Sequence, residues 1–195
     1  HPPIAMAMVG PGGLTAETIA QRDMIPISAN FVPIENVAAQ WRDYALAREK
    51  AGQIADRQVW RVCRNILVTE TDEAGAQLLT DPDGVIAHYF RYIRGVRQIE
   101  EVRSLQQEPV SLLNEFLEVP AALEDCAIVG TADTVLARLI ELVDELGPFG
   151  TLVMVSHDWD ESGLSQGSMR RLARDILPQL KQHVDSLGPA RWIES

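Results

Sequence analysis

The sequence predicts an α/β fold in which parallel strands alternate with helices. Three observations carry this: four short apolar runs read as buried strands, amphipathic segments separate them, and one connection is far longer than the rest. The runs are residues 4–9 (IAMAMV), 24–29 (MIPISA), 61–69 (RVCRNILVT) and 150–156 (GTLVMVS). The last is apolar at nearly every position, which predicts a strand covered on both faces.

Between the strands, residues 15–22 and 35–51 read as helices. Thr71 is an N-cap, with Asp72 and Glu73 in the first turn, where negative charge suits the helix dipole. The clearest helix covers 131–146. Thr131 caps it, and Val135, Leu139, Leu142, Val143 and Leu146 form a single apolar face. Gly147-Pro148 then stops it. A last amphipathic helix is predicted over 168–184, and the tail 185–195 is expected to be loosely held. The long connection runs from Thr69 to Gly130, about sixty residues against the usual ~2–6 of a βα loop. It holds helical pieces at 74–79, 85–97 and 111–117, broken at Asp81-Pro82-Asp83-Gly84 and Glu108-Pro109. The expected organisation is four β-α units forming one domain over 1–184, with an insertion at about 72–129 after the third strand.

Composition narrows the function classes. The 195 residues carry 17 Lys+Arg against 28 Asp+Glu, a net charge of −11, so a nucleic-acid backbone is a poor partner. No window approaches the ~18–20 apolar residues of a membrane span, and no basic leader precedes the first strand, so a cytoplasmic protein is expected. Cys63 and Cys126 are too few for a disulfide framework or a zinc cluster, and each sits in apolar sequence. The sequence begins His1-Pro2-Pro3-Ile4, without Met, and enters a strand almost at once, which reads as a chain that starts inside a domain.

Three places carry candidate chemistry. The first strand runs into Gly10-Pro11-Gly12-Gly13-Leu14-Thr15 and then a helix. Backbone N–H groups of Gly10, Gly12 and Gly13, with the Thr15 hydroxyl, could cradle a phosphate at a helix N-terminus; an ordinary strand-to-helix turn explains the same residues. The motif is neither a Walker loop nor a dinucleotide fingerprint. The fourth strand ends in Ser156-His157-Asp158-Trp159-Asp160-Glu161. There His157 could exchange a proton and Trp159 could wall an apolar pocket; a polar strand exit or a metal site built from the acidic residues are the alternatives. Gly163-Leu164-Ser165-Gln166-Gly167 matches the G-x-S-x-G of serine hydrolases, but Ser165 lies well past the strand that such an elbow must leave, and no acidic residue and strand stand between it and His183 in the expected arrangement. Trp41, Trp60, Tyr89, Phe90 and Tyr92 read mainly as core, with one of the three insertion aromatics a possible substrate contact.

Four elements in order resemble the C-terminal half of the bacterial luciferase-like, flavin-dependent monooxygenases, nearest in flavour to the limonene and alkanesulfonate monooxygenase branch. They are His1-Pro2-Pro3-Ile4 with the strand after it; Asp56-Arg57, Trp60-Arg61 and Arg64 running into Ile66–Ala74; Ile128-Val129-Gly130-Thr131-Ala132-Asp133; and Gly147-Pro148-Phe149-Gly150. The resemblance implies the last four β-α units of a (β/α)8 TIM barrel, and a chain inactive until it meets the first four. It further implies reduced FMN (in some branches a deazaflavin) supplied by a flavin reductase, dioxygen, a small hydrophobic substrate, and a homo-oligomer at full length. The family grips the flavin phosphate at the loop that corresponds here to Gly10, Gly12, Gly13 and Thr15. Relatives carry Ser where this chain has Gly10 and Gly13, and often Gly at Asp23. A non-catalytic interaction subunit with the same fold is the alternative function, and a serine hydrolase using Ser165 a more distant one.

Overall fold

A computed structural model describes residues 2–10, 13–104, 126–157 and 163–194. The main sheet contains β1 (Ala5–Met8), β2 (Ile25–Ser28), β4 (Arg61–Val68), β5 (Ala127–Gly130) and β6 (Thr151–Val155), and every pairing within it is parallel. A second, two-stranded antiparallel sheet joins β3 (Ala55–Asp56) to β7 (Ile193–Glu194). The helices are α1 (Leu14–Gln21), α2 (Ile34–Lys50), α3 (Asp72–Thr80), α4 (Val85–Ser104), α5 (Ala132–Leu146), α6 (Leu164–Arg171) and α7 (Leu177–Ser186), the last two joined through a π-helical turn at Leu172–Ile176.

β4 organises the sheet. Its residues Arg61 and Val62 pair with both β2 and β6, so those strands lie on opposite edges of β4. Asn65 pairs with Ala127 of β5 and Val155 of β6, which puts β5 on the same edge as β2, further along. This corrects the expected count of four strands. Ala127–Gly130, assigned by sequence to the end of the insertion, is a buried strand of the main sheet. Four apolar residues are too short for a period to be read from them, and only pairing with β4 gives them their state.

Side chains alternate across the sheet. Val62, Ile66 and Val68 of β4 face the helices and join one core with Trp41 and Tyr44 of α2, Val135, Leu139 and Leu142 of α5, and Ile176 and Leu180 beyond α6. Trp41 and Trp60 stack there with ring centroids 4.8 Å apart, and Trp60 Nε1 donates to Ser28 Oγ at 3.0 Å. The Arg57 guanidinium lies 4.9 Å from the Trp41 ring centroid and donates to the Leu146 carbonyl at 2.7 Å, closing the C-terminus of α5. Gly150 then passes so close to this loop that an added Cβ would stand 1.8 Å from the Gln58 carbonyl oxygen.

Among the described residues, the opposite face is covered at its carboxyl end, where Ile86 and Phe90 of α4 pack with Cys126, Ala127 and Val129. β6 is therefore half-buried over Leu152–Val155 rather than covered on both faces as its composition suggests. It hydrogen-bonds to β4 alone among the described strands.

The helix caps follow the sequence closely. Thr71 and Thr131 accept from the backbone N–H groups of Ala74 and Thr134. Asp72 also bridges two elements, accepting from Thr131 N–H at 2.7 Å and Thr134 Oγ1 at 2.9 Å. These hydrogen bonds hold its carboxyl below the ordinary range. Asp23 ends α1 at φ 52°, the left-handed position where glycine is favoured, and pairs with Arg48 at 2.7 Å. Helix α7 continues to Ser186, and Ile193–Glu194 is held by β3, with Arg57 N–H donating to the Trp192 carbonyl at 2.9 Å.

Candidate functional site

Residues from three neighbouring strands converge on a buried polar cluster. Asn30 follows β2, Asn65 lies within β4, and His157 follows β6. Asn65 Nδ2 donates to two backbone carbonyls, Asn30 at 3.0 Å and Cys126 at 2.7 Å, which fixes the orientation of its amide. Asn65 Oδ1 must then accept, and it accepts from Asn30 Nδ2 at 2.6 Å. His157 Nε2 lies 2.7 Å from the same oxygen, so this nitrogen carries the ring proton and Nδ1 is left as the acceptor. Tyr89 of α4 closes the cluster. Its hydroxyl donates to Asn30 Oδ1 at 3.0 Å, and its ring stacks on His157 with centroids 3.9 Å apart.

Burial sets the electrostatics. It pushes the His157 pKa down, favouring the neutral ring, and pushes the Tyr89 hydroxyl up, so Tyr89 remains a protonated donor. The cluster borders a cavity of about 240 Å³ lined by Asn65, Leu67, Ile86, Val129, Val155 and His157, among others. Most of this wall is apolar, and its convergent polar groups are few, the usual make-up of a small-molecule site. The turn between α3 and α4, held by Gly84 N–H donating to the Asp81 carbonyl at 3.1 Å, forms another wall.

No family model matches the sequence. The chain is 24% identical over 193 residues to 4-hydroxyprotoasukamycin monooxygenase of Streptomyces nodosus subsp. asukaensis, covering 95% of this chain and 48% of that protein. It is 25% identical over 167 residues to 3,6-diketocamphane 1,6-monooxygenase of Pseudomonas putida, covering 82% and 42%. Among solved structures, it superposes on the FMN complex of the oxygenating constituent of 3,6-diketocamphane monooxygenase, a type II Baeyer-Villiger monooxygenase from the CAM plasmid of Pseudomonas putida. The TM-score is 0.69 at 24% identity, over 91% of this chain and 49% of that one. Its homologues are luciferase-like flavin-dependent monooxygenases. The chain spans about half the length of the curated relatives it matches.

In this luciferase-like fold the residues singled out by sequence separate into two places. His157 belongs to the polar cluster at the strand ends, while Trp159 and the acidic residues beside it lie outside the described residues. Gly10, Gly13 and Thr15 lie at the turn from β1 into α1, and Gly12 lies outside the described residues. At that turn Gly13 has φ 70°, and its N–H donates to Asp43 Oδ2 at 2.8 Å. Gln40 Nε2 donates to the Gly10 carbonyl at 2.5 Å. The Gly13 N–H, one of the donors expected to face a phosphate, is thus engaged by a carboxylate. Ser165 lies in the first turn of α6, after a left-handed Gly163, and lines the cavity with His157. His183 is engaged elsewhere, 2.7 Å from Asp144 of α5. Residues 111–117, read as a helix, lie outside the described residues.

Asn30, Asn65 and the role of Tyr89 escaped the sequence reading. A signal for Asn65 was present: an amide inside an otherwise apolar strand is a buried polar group that needs partners. Nothing local marks Asn30, which becomes informative only when β2 lies beside β4.

Proposed function

We propose that this chain is part of a flavin-dependent monooxygenase acting on a small hydrophobic substrate in the cytoplasm, with residues 1–184 as a partial luciferase-like domain. The buried Asn30–Asn65–His157 cluster beside an apolar cavity carries the reading, and the likeness to monooxygenases supports it. A flavin, delivered reduced by a separate reductase, would supply the electrons that activate dioxygen.

The chain's own residues hold and shield. Asn65 fixes the His157 tautomer, and Tyr89 fixes the plane of its ring. A neutral His157 then offers Nδ1 as an acceptor to an N–H or O–H group entering the cavity. Leu67, Ile86, Val129 and Val155 keep water from that group, which protects reactive oxygen species from wasteful discharge.

Anaerobic titration with reduced flavin of this chain joined to a matching N-terminal half, followed by oxygen uptake with small apolar substrates, tests the reading. Saturable quenching of the protein's tryptophan fluorescence is expected, with affinity weakened about tenfold by Asn65→Ala or His157→Ala, the loss of one buried hydrogen-bonding partner. Absence of flavin binding, or binding indifferent to both substitutions, overturns it.

A further inference from the structure

The hydrogen bonds of the buried cluster run in one direction. Asn65 Nδ2 gives its hydrogens to two backbone groups, the Asn30 carbonyl at 3.0 Å and the Cys126 carbonyl at 2.7 Å. Turning this amide over would set its oxygen against two carbonyl oxygens, so Oδ1 is held as the acceptor. It takes the Asn30 amide at 2.6 Å and His157 Nε2 at 2.7 Å. Turning the imidazole over would put carbon in the place of Nε2 and forfeit that bond, and the stacked Tyr89 ring holds its plane. Protonating the ring, the other route to an Nδ1–H, is opposed by burial, which lowers the His157 pKa. Two backbone carbonyls thus dictate, through Asn65, that His157 Nδ1 is an acceptor, and among the described residues it has no partner. His157 lines the cavity of about 240 Å³ together with Leu67, Leu78, Val129 and Leu164; roughly 150 Å³ is enough for a benzene ring, so a six-membered ring with one substituent has room. A hydroxyl brought to Nδ1 regains the partner it had in water. A ketone oxygen meets a lone pair there and is left unpaired.

We propose that this polarity makes the cavity selective for a small apolar ligand that donates a hydrogen bond, a cyclic alcohol or a phenol, over the ketone of the same ring, with Asn65 the positioning residue that sets the preference through His157. That such a ligand is the substrate rests on the flavin reading above; the preference itself rests on the hydrogen-bond chain and the cavity.

The test uses this chain joined to a matching N-terminal half, labelled with ¹⁵N-histidine and free of flavin. Cyclohexanol and cyclohexanone, alike in ring size and opposite in hydrogen-bonding sense, are titrated separately, followed by phenol, a stronger donor. The His157 signals, identified by their loss in His157→Gln, should show a protonated Nε2 and a bare Nδ1, with Nδ1 shifting as cyclohexanol is added. Cyclohexanol should bind about tenfold more tightly than cyclohexanone, the difference of one hydrogen bond, and phenol more tightly still. Asn65→Ala frees the ring to carry its proton on either nitrogen, so the alcohol-to-ketone ratio should fall toward one as both tautomers appear. A purely structural role for Asn65 would weaken both ligands alike and leave that ratio unchanged. His157→Gln, whose amide offers a donor and an acceptor, should level the ratio in the same way and serves if Asn65→Ala does not fold. Equal binding of alcohol and ketone by the parent protein, binding of neither, or a preference that survives the substitutions overturns the proposal. Flavin titration and oxygen uptake are judged separately: selective alcohol binding by a protein that takes no flavin upholds the preference and removes the proposed function.

Discussion

The two faces of the main sheet are built from the same strands and do different things. Toward the helices, Val62, Ile66 and Val68 are 0%, 2% and 0% exposed and share one core with Trp41 and Trp60. On the other side of β4, Cys63 and Leu67 are half-buried, and Ala5 and Ala7 of β1 are exposed. Asn65 is the exception on that side, 3% exposed and ringed by hydrogen bonds. The difference teaches that hydrophobic stabilisation is concentrated on one face while the other is free to carry polar groups whose burial must be matched bond for bond.

The largest test of this contrast is Trp60→Ala. It removes the stacking on Trp41 and the donor to Ser28, and leaves a cavity between sheet and helices. A loss of about 3–5 kcal/mol in urea unfolding is expected. A loss below ~1 kcal/mol would show that the helix-facing side is not where stability resides.

Asn65→Ala probes the opposite face. It strips partners from the Asn30 side chain, the Cys126 carbonyl and His157 Nε2 at once. A cost of about 1–3 kcal/mol is expected, with a change in the ¹⁵N tautomer signature of His157. A fully stable variant with unchanged His157 signals would remove Asn65 from the centre of the cluster.

The cap at Thr131 gives a smaller effect on the helix side. Thr131→Ala deprives the Thr134 N–H of its acceptor, and about 1 kcal/mol of stability should go with it.

The faces also differ in how they respond to acid. Burial lowers the pKa of His157 from 6.5, so the unfolded ring takes up a proton at a pH where the folded ring resists it. The stability this contributes is complete above about pH 6.5 and is lost as the pH falls from there toward the folded value. Asp72, lowered from 3.8 by its bonds to Thr131 and Thr134, contributes stability above 3.8 that is lost as the pH falls through its folded value. Chemical denaturation across the pH range should therefore show an early decline that His157→Gln removes and a later one that it leaves intact. An early decline that survives His157→Gln would assign it to another group.

Smallest of all is Ala7→Ser on the exposed side of β1. A change within about 0.5 kcal/mol is expected. A larger loss would mean that this side is more tightly packed than its exposure indicates.

Sequence alone determined whatever depends on neighbours along the chain. The apolar runs gave β1, β2, β4 and β6 to within a residue or two, the Thr71 and Thr131 caps were identifiable from residue type, and the apolar stripe of α5 matches its buried face residue for residue. Such features have short periods, and the forces behind them act over one or two turns. Tertiary structure decided the remainder. Ala127–Gly130 is a strand because β4 offers it an edge, and the cluster exists because residues 35 and 92 positions from Asn65 are folded onto it. Asp43 reaches the β1–α1 turn across 30 residues in the same way. Hydrogen-bond partners so far apart leave no periodic trace, since which groups meet is set by how strands pair and helices pack.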